Sequence, residues 1–187
     1  MNPAPLTTDL RSFNNQWYQP GPRWKIILWF LVNPLTLNSY APLPVALKRL
    51  ILRSFGAKIG RGVMIKPRVN VKYPWLLDIG EYAWVGEGVW IDNLVPVRVG
   101  PHACLSQGAL LLTGNHDYTR TTFDLKSGVI TLEAGVWIGA NAVVGPGVTC
   151  HSHAVLAVGS VATRSLDAYG IYRGNPAEFV RRRIITT

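Results

Sequence analysis

A six-residue period in apolar side chains constrains this chain more than any other feature. From residue 132 onward, Leu132, Ile138, Val144, Cys150, Leu156 and Ala162 place an aliphatic or small apolar residue at every sixth position. Four places after each comes a second small or apolar residue: Val136, Ala142, Val148, Ala154, Ser160 and Leu166. The pattern also runs upstream through Ile59, Ile65 and Val71, then Ile79, Val85 and Ile91, then Val99, Leu105 and Leu111. Glycine often follows the first position directly, as in Ile59-Gly60, Ile79-Gly80, Val99-Gly100 and Ile138-Gly139. A helix would scatter these residues around its circumference, and each interior glycine would cost about 1 kcal/mol relative to alanine. A simple strand would alternate at period two. Short strands that turn every six residues satisfy the pattern, with the aliphatic side chain inside and glycine permitting the corner. Three such sides make a coil of about 18 residues, and stacked coils pair in parallel at about 4.8 Å.

The reading is therefore an all-β parallel solenoid of about five coils, spanning residues 59–167. Leu77 to Ile79 and Val97 to Val99 are two-residue slips in the period, expected as bulged corners. Between Leu111 and Leu132 the chain is far longer than one repeat requires, so a loop at about 115–131 must leave the coil. Long insertions in solenoids gather on functional faces. Residues 1–58 form an N-terminal extension. Its apolar clusters, interleaved with Lys25, Lys48, Arg49 and Arg53, predict one or two short helices capping the first coil. This basic, apolar stretch also fits peripheral membrane contact. Residues 168–187 leave the repeat through Gly174-Asn175-Pro176 and are expected to end in a short helix carrying Arg181, Arg182 and Arg183.

The formal net charge is +9, concentrated in Arg23–Arg61 and Arg173–Arg183 with little between them. That distribution argues against a long basic groove for nucleic acid, and no recognisable aromatic-basic module is present. Cys104 and Cys150 lack metal-ligand spacing and read as free core thiols, which suits a reducing compartment. The first residues do not form a secretory signal. The apolar run Ile26 to Val32 is far short of the about 20 residues that a spanning helix needs. A cytoplasmic protein is expected, with the inner membrane face as a further location if the N-terminal helices touch lipid.

Beyond the ladder, the loop opens on Gly114-Asn115-His116-Asp117-Tyr118 and the chain closes on Gly174-Asn175-Pro176-Ala177. Together these resemble the sugar O-acetyltransferases of the left-handed parallel β-helix type. The resemblance is strongest to the colanic-acid-type exopolysaccharide acetyltransferases. It extends to Trp17-Tyr18 with Pro20-Gly21, to Phe55-Gly56-Ala57-Lys58-Ile59-Gly60, to Tyr73-Pro74-Trp75 and to Leu105-Ser106-Gln107. It implies a left-handed superhelix, against the usual right-handed crossover, and a homotrimer whose sites lie between subunits. It also implies acetyl-CoA as co-substrate and a carbohydrate acceptor, either a nucleotide sugar or a lipid-linked saccharide.

Acetyl transfer to an alcohol needs a base for the hydroxyl proton, a donor for the developing oxyanion and a departing thiol. An imidazole, with an ordinary pKa of about 6.5, suits the first task. His116, at the exit of the loop, is the expected general base. Asp92, Asn93 and Asp117 are candidates to orient it or to bind the sugar, with Glu87 and Asn115 behind them. The resemblance places the coenzyme against Gly139-Ala140 and Ala157-Val158, with Thr163-Arg164 near its pyrophosphate and Arg181 and Arg182, with Arg183, near its 3′-phosphate. Glu178 stands where relatives carry a basic residue. His102, His151 and His153 occupy variable outward places. A zinc carbonic anhydrase on this fold would need histidines converging on the metal, and their spacing here does not supply them; no metal is expected. A non-catalytic trimeric scaffold is the other reading the repeat allows.

Overall fold

The structure, a computed structural model, describes residues 6–187; residues 1–5, which open the expected N-terminal extension, lie outside the described residues. The six-residue period folds into a triangular solenoid. Its first side stacks Lys58–Ile59, Leu77–Ile79, Val97–Val99, Ile130–Leu132 and Thr149–Cys150. The second side stacks Met64–Ile65, Trp84–Val85, Cys104–Leu105, Trp137–Ile138 and Val155–Leu156. Asn70–Val71, Trp90–Asp92, Leu110–Leu112, Val143–Val144 and Val161–Ala162 make the third. All these strands pair in parallel, which gives five complete coils. A sixth begins where Leu166 bridges Cys150 and Gly170–Gly174 extends the second side.

The periodic residues fill the interior: Ile65, Ile91, Leu105, Leu111, Ile138 and Leu156 are among the largest fully buried side chains. The glycine after such a residue sits where consecutive coils nearly touch. A Cβ on Gly100 would lie 2.6 Å from the Glu133 carbonyl carbon, and no side chain fits there. Cys150 lies in this core, where burial pushes its thiol up to about 12. Cys104 departs from the expectation: it is half-buried and occupies an outward position on the second side.

The slips share one corner. Ile59 pairs with Ile79 and Ile79 with Val99, so each of these coils takes 20 residues, whereas Leu132 to Cys150 takes 18. The extra residues fall between the third side and the first, in the turn Pro74–Leu76 and around Asn93 to Pro96. The long loop leaves at this same corner, after Leu112. Buried polar side chains pin the irregular backbone. Asn93 accepts from Tyr73 N at 2.9 Å and donates to Tyr73 O at 2.7 Å. The Thr113 hydroxyl donates to Asp92 O and accepts from Leu94 N, both at 2.8 Å.

Outward side chains differ between sides. On the first they are polar: Lys58, Asp78, Arg98, Thr131 and Thr149 align in register. On the second they are Met64, Trp84, Cys104, Trp137 and Val155. Beyond Asn70 the third side is also apolar, with Trp90, Leu110, Val143 and Val161. Trp84, Trp90 and Trp137 remain 58, 47 and 45% exposed.

Two helices close the first coil: α1 (Arg23–Val32) and α2 (Val45–Ser54). The carbonyl of each inward residue points toward the preceding coil, as Ile79 O accepts from Gly60 N at 2.7 Å and Val85 O from Lys66 N at 3.0 Å. The first coil has no predecessor, so Ile59, Ile65 and Val71 would each leave a buried carbonyl unpaired. One side chain answers each of them. Arg53 Nε donates to Ile59 O at 3.1 Å, Lys48 Nζ reaches Ile65 O at 3.4 Å, and Trp29 Nε1 donates to Val71 O at 2.8 Å.

The C-terminal helix does not form. Gly170–Gly174 and Ala177–Arg182 make an antiparallel hairpin on the edge of the second side, and the Asn175–Pro176 bond at its turn is cis. A helix of so few residues is marginal alone, whereas the last coil offers an open strand edge whose backbone groups need partners. The edge wins.

Three stability results should follow. Trp29→Phe keeps the packing against Phe55 but removes the donor to Val71 O, and should cost about 1–3 kcal/mol in urea unfolding. Gly100→Ala forces coils apart and should cost about 3 kcal/mol. Gly147→Ala, where φ is +77° and no atom lies within 4 Å, should cost only about 1 kcal/mol.

Candidate active site

The loop after Leu112 is an antiparallel hairpin, Gly114–His116 against Leu125–Ser127, with His116 opposite Leu125. Gly114 lets the hairpin leave flat against the corner, since a Cβ there would strike the Leu94 side chain. Gly128 N returns to Thr113 O at 2.9 Å and closes the hairpin base. Across its strands, Asp117 ties the structure together. Its carboxylate accepts from the Thr119 hydroxyl at 2.6 Å and Thr119 N at 3.1 Å, and pairs with Lys126 Nζ at 2.9 Å. The Thr119 hydrogen bond first, and Lys126 next, lower its pKa to about 2. Arg120 and Asp124 add a second ion pair, at 2.9 Å.

The His116 ring is held by a residue with no marker in the sequence. Its Nδ1 lies 2.9 Å from Phe123 O, and the Phe123 ring stacks on the imidazole at 4.3 Å and 8°. Phe123 reaches both contacts through a left-handed backbone, φ +51°, a conformation an ordinary side chain adopts at a cost of about 1–2 kcal/mol. A carbonyl only accepts, so the shared proton sits on Nδ1 and the Nε2 lone pair is left bare. The Phe13 ring approaches from the N-terminal segment, 5.6 Å away and tilted by 59°. That segment is fastened at three points: Asp9 N donates to Thr121 O at 2.8 Å, Tyr18 OH to Leu94 O, and Trp75 Nε1 to Pro20 O. Beside the loop tip, Thr7, Thr8, Tyr118, Arg120, Thr121 and Thr122 border a cavity of about 440 Å³. Neither Phe13 nor Phe123 carried a sequence signal, because each acts through tertiary placement.

The other expected acceptor residues lie elsewhere. Asp92 is buried with Lys72 Nζ 2.8 Å from its Oδ1, and Asn93 is committed to Tyr73; neither contacts the histidine. Asp117 braces the hairpin rather than the ring, and the Asn115 side chain accepts from His116 N at 2.8 Å. Glu87 is exposed at the corner between second and third sides, beside Trp84, Ser106 and Gln107.

Gly139-Ala140 and Ala157-Val158 occupy that second-to-third corner in successive coils. A Cβ on Gly139 would lie 2.6 Å from Val158 N. Gly139 N and Ala157 N are used by the ladder, donating to Leu156 O and Tyr172 O at 2.8 Å. The N–H groups of Ala140 and Val158 donate to no backbone carbonyl among the described residues. Thr163 and Arg164 are exposed at the third-to-first corner, two coils beyond the His116 loop. Arg164 shares a cavity of about 310 Å³ with Glu178, Tyr172 and Phe179. Arg182 donates to Ala168 O at 3.0 Å and Arg183 to Gly135 O at 2.9 Å, while Arg181 projects from the exposed edge strand. Within one chain, His116 and the Ala140–Val158 corner are thus separated by a whole side, about 15 Å.

The remaining histidines serve the scaffold. His102 stacks on Tyr82 at 5.4 Å, His153 on Tyr169 at 4.8 Å, and His151 Nδ1 lies 3.0 Å from Glu133 Oε1. Among the described residues no three His, Cys, Asp or Glu side chains are grouped to hold a metal ion.

Comparison with known proteins supplies the family. The chain is 36% identical to the colanic acid biosynthesis acetyltransferase WcaF of Escherichia coli K12, over 95% of its own length and 98% of the relative's. It is 25% identical to the galactoside O-acetyltransferase of the same organism, over 77% of this chain and 72% of that protein. Among solved structures, a hexapeptide-repeat acetyltransferase of Vibrio cholerae complexed with acetyl-CoA superposes with a TM-score of 0.77 at 23% identity, covering 85% of this chain and 87% of that one. No family model matches the sequence. Identity of this extent to WcaF, on a solenoid shared with the Vibrio enzyme, shows that the chain belongs to the hexapeptide-repeat acetyltransferases, alongside those of colanic acid biosynthesis.

Proposed function

We propose that this acetyltransferase moves the acetyl group of acetyl-CoA to a sugar hydroxyl in exopolysaccharide biosynthesis, with His116 as general base. One observation carries the assignment: His116 Nδ1 lies 2.9 Å from the Phe123 carbonyl, which only accepts, so the neutral imidazole keeps its proton there and leaves Nε2 bare. A bare Nε2 can take the hydroxyl proton as the oxygen attacks the thioester carbonyl, and can hand it to the departing thiolate as the tetrahedral adduct collapses. General base catalysis of this kind contributes about 10²–10⁴-fold. Asp117 stays ionised to about pH 2 with Lys126, so the hairpin keeps its internal brace across the working range.

The residues fit a coenzyme thioester. The Ala140 and Val158 N–H groups, stacked at a corner of small residues, suit the amide carbonyls of an extended pantetheine arm. Arg164 and Arg181 suit its phosphates, with Glu178 in the opposite sense nearby. The E. coli relative's name, which assigns it to colanic acid biosynthesis, favours a saccharide acceptor, carried on a nucleotide or a lipid. Two features support a homotrimer. Two sides expose tryptophans that a partner would cover, and the proposed base and coenzyme positions lie on different corners of one chain, an arrangement that a neighbouring copy would complete.

Thiol release from acetyl-CoA with a saccharide acceptor should drop at least about 10²-fold in His116→Ala, while equilibrium binding of coenzyme A is retained. Full turnover in that variant would refute the assignment. For the coenzyme, Arg181→Gln should raise KM for acetyl-CoA about tenfold, a loss of about 1.4 kcal/mol. It should leave KM for acetyl-3′-dephospho-CoA unchanged; an equal rise for both would remove Arg181 from the 3′-phosphate.

A further inference from the structure

The outer face of α1 is unlike the rest of the surface. Trp24, Ile27, Leu28 and Leu31 follow helical spacing, and Leu35 continues the row in the next turn. Their exposures are 66, 61, 45, 63 and 75%. On the opposite face Trp29 and Asn33 are buried against the first coil. A helix apolar all round belongs in an apolar environment on both faces, and the solenoid provides only one. Charge says what supplies the other. Among the first 77 residues, Asp9 is the single acid, beside 11 Lys and Arg; residues 78–187 hold 9 acids and 8 bases. Asp9 is itself paired with Arg11. The whole positive excess therefore lies in the N-terminal extension and first coil. A second copy placed on this face would bring two such surpluses together, whereas an anionic surface would neutralise one.

We infer that α1 is an interfacial anchor that seats the helix-capped end of the solenoid on an anionic lipid surface. Trp24, Ile27, Leu28, Leu31 and Leu35 enter the boundary between headgroups and acyl chains. Exposed Arg23 and half-buried Arg49 meet the lipid phosphates. The helix lies in the interface rather than across it: its ten residues are about 15 Å long, and among the described residues no helix is long and apolar enough to cross a membrane. The third coil, which extrudes the His116 hairpin, lies two coil spacings, about 10 Å, beyond the first, with the helix layer, about 10 Å across, beneath it. Where the reading of an acetyl-transferring site holds, this height favours a saccharide on a lipid carrier over a freely diffusing one.

The test is co-sedimentation of the full-length protein with vesicles of phosphatidylcholine alone or mixed with phosphatidylglycerol, at low and high salt. The native protein should pellet with the anionic vesicles at low salt and at least tenfold less with phosphatidylcholine or in high salt. The exposed-residue variant Trp24→Ser/Ile27→Ser/Leu31→Ser should lose at least tenfold in vesicle binding. Its mass by sedimentation equilibrium and its thiol-release activity on a soluble saccharide should stay unchanged. Failure of the native protein to bind anionic vesicles, or equal binding to both compositions, would overturn the inference. So would a lower mass in the variant, which would make the face a contact between copies. Loss of thiol release in His116→Ala with vesicle binding intact leaves the anchor standing, so the two readings fail separately.

Discussion

The open backbone edge of the first coil is the constraint on which the rest of the molecule depends. Each inward residue sends its carbonyl toward the preceding coil, so the stack is stable only if something replaces the coil that is missing. An unpaired buried carbonyl costs about 1–3 kcal/mol, and a triangle presents three of them. Arg53, Lys48 and Trp29 answer one each, from two helices that the ladder itself does not encode. Part of the basic surplus is thereby structural. Lys48 illustrates its cost: burial, and then Lys66 nearby, hold its pKa below the usual lysine range, so the capped carbonyl is obtained against desolvation of the donor. The other end uses a different device, an antiparallel hairpin lying on the final strand edge.

A second consequence concerns where variation is tolerated. The ladder demands fixed spacing along the sides but little at one corner. Extra residues at Pro74–Leu76, around Asn93 and at the His116 hairpin all fall between the third side and the first. Closing a longer loop costs only slowly increasing entropy, so this corner admits insertions that a side cannot. Once extruded, the hairpin needs internal bracing, and Asp117 with Lys126 and Thr119 supplies it. Asp117, one of the expected acceptor residues, is thus engaged in shaping the loop, and the imidazole is left to a backbone carbonyl.

These placements show why some features were legible in the sequence and others were not. Period six fixes which side chains point inward, and the coil count, the slips and the point of loop departure all follow from it. The C-terminal segment is a strand and not the expected helix because Ala177 to Arg183 has no period of its own; a neighbouring strand edge decides its conformation. His116 was visible as a histidine at the loop exit. Phe123 was not, since its effect comes from a left-handed backbone that aims a carbonyl, and Phe13 lies in a segment with no periodic tie to the loop. Asp92 and Asn93 suit sugar binding by residue type, yet both are buried: Asp92 pairs with Lys72 and Asn93 satisfies the Tyr73 backbone.

The outward positions record a division of labour that the inward ones cannot. Coil stacking needs only the inner residue of each pair, so the outer residue answers to whatever covers that side. Lys58, Asp78 and Arg98 on the first side fit water, while the tryptophans of the second and third sides fit other protein. The outer face of α1, in the part of the chain that holds its positive surplus, fits neither water nor a like-charged copy. Three kinds of exterior on one scaffold correspond to three kinds of neighbour. On the proposed reading, the His116 hairpin stands among all three: it is extruded at one corner, beside an apolar side that a second copy would cover, and above the end that carries α1.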